Sequence, residues 1–227
     1  MTQELRDRWE DDSLKTFISI YLRQWRRTRA AIVDAERNEV RQLIGELYRG
    51  EPAAVRLEAQ RLFDNMVEDI ANHTITEVDA TLEQPDDLTD TILRLSAENA
   101  VRFANQISEN SLRLAYSVVD KWLETEGSTT GELYARMQRI WRGPRPKAAA
   151  TTETTRLYNA TRYETFKSMG VWGFRPQHRN DDRVRPSHRD YAAQGPYPLD
   201  RVDMIPPYGD INCRCTMSAV IRPPGGS

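Results

Sequence analysis

Apolar residues recur at three- and four-residue intervals through the first half of the chain, the spacing that gathers side chains on one face of an α-helix. Leu14, Phe17, Ile18, Tyr21, Leu22 and Trp25 form the first stripe, with Asp11, Asp12 and Ser13 ahead of it as an N-cap. Ile32, Val33, Val40, Leu43, Ile44 and Leu47 continue it as far as Gly50. Pro52, at a first-turn position, opens a second helix whose stripe is Val55, Leu57, Leu62, Phe63, Met66, Val67 and Ile70, before Pro85. A third segment from Asp86 to Glu126 carries Leu88, Ile92, Leu95, Phe103, Ile107, Leu114, Val118, Val119 and Trp122, has no internal Gly or Pro, and meets Gly127. As one helix it would be about 60 Å long at roughly 1.5 Å per residue. Such lengths predict an antiparallel bundle or stalk over residues 1–128.

The stretch Thr129-Thr130-Gly131-Glu132 starts a short helix to about Arg142, and Gly143-Pro144-Arg145-Pro146 interrupts it. A last helix from about Lys147 to Met169 is stopped by Gly170. Helical period then disappears. Prolines multiply (Pro176, Pro186, Pro196, Pro198, Pro206, Pro207), and two strand-like runs follow, Val171-Trp172-Gly173-Phe174 and Cys213 through Ile221. The expected class is therefore α+β: a predominantly helical N-terminal bundle, a small α+β C-terminal module over residues 129–222 with few short strands and long loops, and a flexible tail at 223–227. No internal repeat is visible.

With 227 residues, 39% hydrophobic content and a mean hydropathy of −0.70, the chain can bury one good core or two modest ones. No run approaches the roughly 18 apolar residues of a membrane span. The opening Met1-Thr2-Gln3-Glu4-Leu5-Arg6 lacks the apolar stretch of a secretory signal, so the expected compartment is the cytosol or a particle assembled there. Cys213 and Cys215 are separated by one residue, and a disulfide across that gap closes a small strained ring, so reduced thiols are expected. The net charge of −2 conceals an asymmetry: residues 1–135 hold 16 Lys/Arg against 26 Asp/Glu, residues 136–189 hold 13 against 4, and the rest hold 3 against 4. This basic belt suits nucleic acid or an acidic protein surface, with Arg136, Arg139, Arg142, Arg145 and Lys147 as its leading contacts. The alternative is that it neutralises the protein's own acidic helices.

The chemistry-bearing residues cluster late. His178 to His188 encloses a dense Arg/Asp run, and Asn212-Cys213-Arg214-Cys215 follows. On a strand, Cys213 and Cys215 would point to one face and Arg214 to the other, a metal half-site that His188 with His178 or Asp181 could complete for zinc. The alternative is two small buried cysteines and two surface histidines on a proline-rich loop. The spacing Asp181-x-Arg183-x-Arg185 suits a structural clamp on one strand-like face; it also admits a catalytic arrangement, with Asp181 or His188 as general base and an arginine for an oxyanion or phosphate. Ser187 beside His188 is sequence adjacency only. The aromatics Tyr158, Tyr163, Phe166, Trp172 and Phe174 read as core rather than as a stacking platform, and His73, on a polar stretch, as solvated.

Taken together, Thr155-Arg156-x-x-Asn159-x-x-Arg162-x-Glu164, then Asp181-x-Arg183-Val184-Arg185-Pro186-Ser187-His188, Gly195, and Pro206-Pro207 with Asn212-Cys213-Arg214-Cys215, resemble the C-terminal module of the phage Mu F-like minor head proteins, also described as phage head morphogenesis proteins. The resemblance covers about residues 150–220. It implies a minor capsid component at the portal region of a tailed-phage or prophage head, acting in assembly or DNA passage, with portal or major capsid protein and double-stranded DNA as partners and no membrane. It implies a place in the virion head, and in host cytoplasm during assembly. Related sequences carry cysteines where this chain has Arg185 and His188, a pattern suited to a structural zinc, and a histidine where this chain reads Tyr208-Gly209-Asp210. Two rivals from other classes remain: a metal-dependent hydrolase using Asp181, His188, Cys213 and Cys215, and a sequence-independent DNA-binding factor acting through residues 136–189. A structural clamp predicts that Arg183→Ala and Cys213→Ser destabilise the C-terminal module.

Overall fold

The computed structural model describes residues 2–78, 87–179, 181–200 and 210–222, with side chains from residue 3. Pro85, Asp86, Asn180, Pro206, Pro207, Tyr208, Gly209 and the tail at 223–227 lie outside the described residues. The described chain runs α1 (Thr2–Ile32), α2 (Val40–Arg49), α3 (Glu51–Val78), α4 (Leu88–Glu124), α5 (Thr130–Arg142), α6 (Arg145–Ser168), β1 (Gly173–Gln177), α7 (Pro186–Gln194), β2 (Tyr197–Pro198) and β3 (Thr216–Val220). The fold is α+β and dominated by helices. Its antiparallel sheet has the order β2-β1-β3, with Gly173 opposite Pro198 and Val220, and Gln177 opposite Thr216.

The long helices form where the apolar stripes predict them, with two differences. The first helix begins at Thr2, before the Asp11-Asp12-Ser13 group, because Leu5 and Ser13 already lie on its buried face. Ser13 takes a hydrogen bond from Thr154 Oγ1 at 2.9 Å instead of capping a helix. The stripe expected to run on to Gly50 breaks at residues 33–39, where Asp34, Glu36, Arg37, Asn38 and Glu39 supply no apolar side chain. Arg37 from this break lies over the Trp122 ring at 4.3 Å and donates to the carbonyls of Trp122 (2.6 Å) and Thr125 (2.9 Å), closing the C-terminal end of α4 with a cation where its dipole favours one. The predicted start of α5 is a capping box, Thr129 and Glu132 each satisfying the other's backbone N–H.

Phe17 of α1 stacks on Phe103 of α4 at 4.3 Å and meets Phe63 of α3 edge-on at 6.4 Å, while Trp25 stacks on Trp141 of α5 at 5.6 Å. The core continues from Leu5 without a break to Met217, so residues 1–128 and 129–222 share it. The helix that joins them is α6, packed on α1, α3 and α4 and on β3. Its interior is unusual in being polar: Thr151, Thr152, Glu153, Thr154, Thr155, Asn159, Thr161, Arg162 and Thr165 are all buried. Tyr158, Phe166 and Phe174 are buried and Tyr163 and Trp172 half-buried, in keeping with core positions. His73 is not solvated; it is half-buried, with Nε2 enclosed and lacking a hydrogen-bond partner among the described residues.

Candidate functional site

One stripe of α6 explains how the late segment is held. Thr152, Thr155, Asn159 and Arg162 follow each other at helical spacing and bind the backbone of residues 212–217 in order. Thr152 Oγ1 accepts from the Asn212 N–H (3.0 Å), Thr155 Oγ1 donates to the Cys213 carbonyl (2.7 Å), Asn159 Nδ2 to that of Cys215 (2.8 Å), and Arg162 Nε to that of Met217 (3.1 Å). Buried carbonyls outside a regular ladder need such partners, and a polar helix supplies them here. Arg162 is fully enclosed and its charge is met by Glu77 of α3 at 2.8 Å. Arg6 of α1, 1% exposed, donates to Thr155 Oγ1 at 3.1 Å, so the start of the chain buttresses the same point.

Asn212, at φ 59°, turns the chain into this segment; asparagine is one of the few residues that tolerate that conformation. Cys213 and Cys215 precede β3 instead of lying in it, because the segment's carbonyls bond to α6 and strand pairing begins only at Thr216. Both sulfurs are nevertheless buried and converge with His188, one ligand atom of each lying within 4.8 Å of the others. His188 Nδ1 is 3.3 Å from Cys215 Sγ and 3.7 Å from Cys213 Sγ. The histidine sits on α7, not on a loop: Pro186 at N1 fixes the dihedral angle that starts a helix, which the proline count alone had disguised as loop. Its far nitrogen, Nε2, lies 3.0 Å from Asp210 Oδ2, and Arg185 holds Asp210 (3.3 Å) and the Ile211 carbonyl (2.8 Å).

The remaining expected residues take other places. Asp181 does not reach the sulfurs. It receives Arg214 Nη2 at 2.5 Å, and that hydrogen bond holds its carboxyl below the usual range. His178 stands outside the converging trio, its Nδ1 3.1 Å from the Arg179 carbonyl. Residues 181–184 form a turn in which the Arg183 N–H bonds Asp181 Oδ1 at 3.1 Å, so Arg183 and Arg185 do not share a strand face. Arg183 is 77% exposed and only 3.7 Å from Asp181, which moves the clamp from Arg183 to Arg185 and Arg214. The basic belt divides in two. Arg162 and Arg179 turn inward to Glu77 and Asp7, and Arg145 is half-buried over Tyr21, whereas Arg136, Arg139, Arg142 and Lys147 are exposed.

The two thiols are not equivalent. A hydrogen bond from Cys215, its backbone N–H and the nearby His188 lower the Cys213 thiol to about 6 against the cost of burial. The Cys213 sulfur and burial together push Cys215 up. One proton between two sulfurs is the state a soft cation displaces. His188, Cys213 and Cys215 fit zinc: two sulfurs and one nitrogen converge, and Asp210 orients the histidine from behind as carboxylates do at zinc sites. Zinc held there would staple α7 to the segment before β3. The trio lines a cleft of about 640 Å³, shared with Asp7, Glu10, Lys147, Arg179 and Arg183, from which a further ligand could approach a zinc held there.

No protein-family model matches the chain, and no curated protein or solved structure shows significant similarity to it. No described helix is long and apolar enough to cross a membrane. Sequence reasoning missed Asp210 and Arg6 as parts of the site. Arg6 left no local signal, but the polar residues of α6 at positions 152, 155, 159 and 162 carry a helical period that marks a buried hydrogen-bonding stripe.

Proposed function

We propose that the chain is a minor capsid protein of a tailed phage or prophage, acting in head morphogenesis at the portal region. The helical part docks on portal or major capsid protein, and the late segment is a rigid platform stapled by a structural zinc at His188, Cys213 and Cys215. The observation that carries this reading is the convergence of the scattered motif: Thr155, Asn159 and Arg162 grip the backbone of residues 213–217, Asp181 pairs with Arg214, and His188 meets both sulfurs. Residues that are far apart in sequence and fall into the family pattern thereby serve one construction. Co-purification with the portal, and presence in purified heads, are the expected outcomes; absence from heads would overturn the reading.

A metal-dependent hydrolase is favoured by one observation, the cleft over the three ligands, since catalytic zinc sites keep a position open. If His188→Ala leaves a folded protein that still assembles but abolishes a measurable turnover, the hydrolase account replaces the structural one. Contact with double-stranded DNA falls to the exposed Arg136, Arg139, Arg142 and Lys147 and predicts an affinity that drops steeply with salt.

A further inference from the structure

The cleft above the sulfurs holds more cations than its acids can answer. Asp7 is already engaged by Arg6 (2.6 Å) and Arg179, and Glu10 by Arg6 and Thr151 (2.7 Å). Arg214 is committed to Asp181, and Arg185 to Asp210. Three cationic groups of the lining are left with capacity. Lys147 is exposed and has no ion-pair partner among the described residues, and Arg183 makes only the 3.7 Å contact to Asp181. Arg179 Nε is enclosed and has no hydrogen-bond partner among the described residues. Burial first, and after it the neighbouring charges of Arg6, Arg214 and Arg183, weaken the hold of Arg179 on its proton. Asp11, exposed on the same lining, is the acid not engaged by a guanidinium among the described residues.

We infer that this cleft is a binding site for a phosphate group, received by Lys147, Arg183 and the part-exposed guanidinium of Arg179. A tetrahedral oxyanion offers several acceptor oxygens in different directions, which suits donors that approach from separate elements, α6, the strand end after β1 and the turn before α7. A phosphate supplies the counter-charge that the engaged acids of the lining do not. The inference needs neither zinc nor the head-protein reading, and its failure would leave the metal titration and the portal assay untouched. The phosphate has two sources, a free anion or the phosphates of DNA.

The test titrates the full chain with inorganic phosphate at ionic strength held constant by sodium chloride, then with short DNA duplexes bearing 5′-phosphate or 5′-hydroxyl ends. Phosphate is expected to raise the melting temperature saturably. Lys147→Gln and Arg183→Gln, both at exposed positions, should each weaken it by about fivefold, and Asp11→Asn should strengthen it. A preference for 5′-phosphate ends assigns the site to DNA termini; equal binding of both duplexes, reduced by the same variants, assigns it to backbone phosphates; a response to inorganic phosphate alone assigns it to a free anion. Wild-type binding by both glutamine variants, or a response that chloride reproduces, overturns the inference.

Discussion

Replacing Asn159 by leucine tests whether α6 positions the site or merely fills space. Asn159 is 1% exposed and spends its amide donors on two carbonyls, those of Thr155 (2.9 Å) and Cys215 (2.8 Å), while its Oδ1 has no partner among the described residues. Leucine keeps the volume and deletes both donors. The Thr155 carbonyl retains its helical hydrogen bond, so the loss is at Cys215, a buried acceptor left unpaired; removal of the orphan Oδ1 offsets part of it and leaves a net cost of about 1–2 kcal/mol. For a chain of this size, roughly 2–4 °C per kcal/mol puts the fall in melting temperature near about 5 °C. Because the Cys215 carbonyl sets where its sulfur lies, zinc affinity measured by chelator competition should fall by about 10–100-fold, as it does when residues behind a metal ligand are removed. Arg183→Ala, in contrast to the sequence expectation, should stay within about 0.5 kcal/mol of wild type, since its side chain is 77% exposed. A variant that melts lower yet binds zinc as tightly as wild type would refute the positioning argument, and one unchanged in both would refute the energetics as well.

Metal-stripped protein should react with iodoacetamide at Cys213 with a half-point near pH 6 and a plateau by neutrality; a half-point near the ordinary thiol value of about 8.5 would contradict the thiol pairing. Burial of Glu51 beside Arg27 raises its pKa, so the folded state holds that proton to higher pH than the unfolded chain does. Stability tied to this group is therefore lost as pH rises through the raised value, and Glu51→Gln should gain on wild type in urea melts as pH rises above the ordinary carboxylate range; a gap that does not change with pH argues against it. Gly173→Ala places a Cβ 2.3 Å from the Tyr197 carbonyl oxygen and 3.1 Å from Pro198 Cα. Strand β2 must move, at about 2 kcal/mol, and an unchanged urea midpoint would show that it yields freely.

The sequence was most legible where burial is apolar. The stripes of α3 and α4, the Thr129 to Glu132 capping box and the stop at Gly170 are local signals whose physics is complete within a few residues. It was least legible where burial is polar. Along α6, threonines donate back to the carbonyl four residues earlier, at Thr152, Thr161 and Thr165, so they enter the core without an apolar stripe to announce them. The candidate site followed the same division. Cys213, Cys215 and His188 could be named from residue type, but Asp210 could not, because an exposed aspartate becomes a histidine partner only once α7 is docked. Arg183 and Arg185 look alike in the sequence, and only the turn at residues 181–184 decides which one reaches across.

Whether residues 129–227 would stand alone follows from where the partners of α6 come from. Thr151 donates to Glu10 (2.7 Å), Thr154 to Ser13 (2.9 Å), and Thr155 is held by Arg6, all on α1. Glu153 takes Arg102 of α4 at 2.5 Å, and Arg162 takes Glu77 and Thr74 of α3 at 2.8 and 3.3 Å. A cut ahead of α5 removes each of these partners at once and leaves a helix whose two sides are both polar, with too narrow an apolar face to fold against the three short strands. The Cys213 and Cys215 carbonyls would still meet Thr155 and Asn159, but on a helix held only by α5 and β3. The fragment 129–227 is therefore expected to lack a cooperative thermal transition without metal and to bind zinc more weakly than the full chain, because folding the segment must then be drawn from the binding energy. A fragment that melts cooperatively and titrates with wild-type affinity would show that the bundle is dispensable to the site, and that the polar contacts along α6 are packing without consequence for the sulfurs.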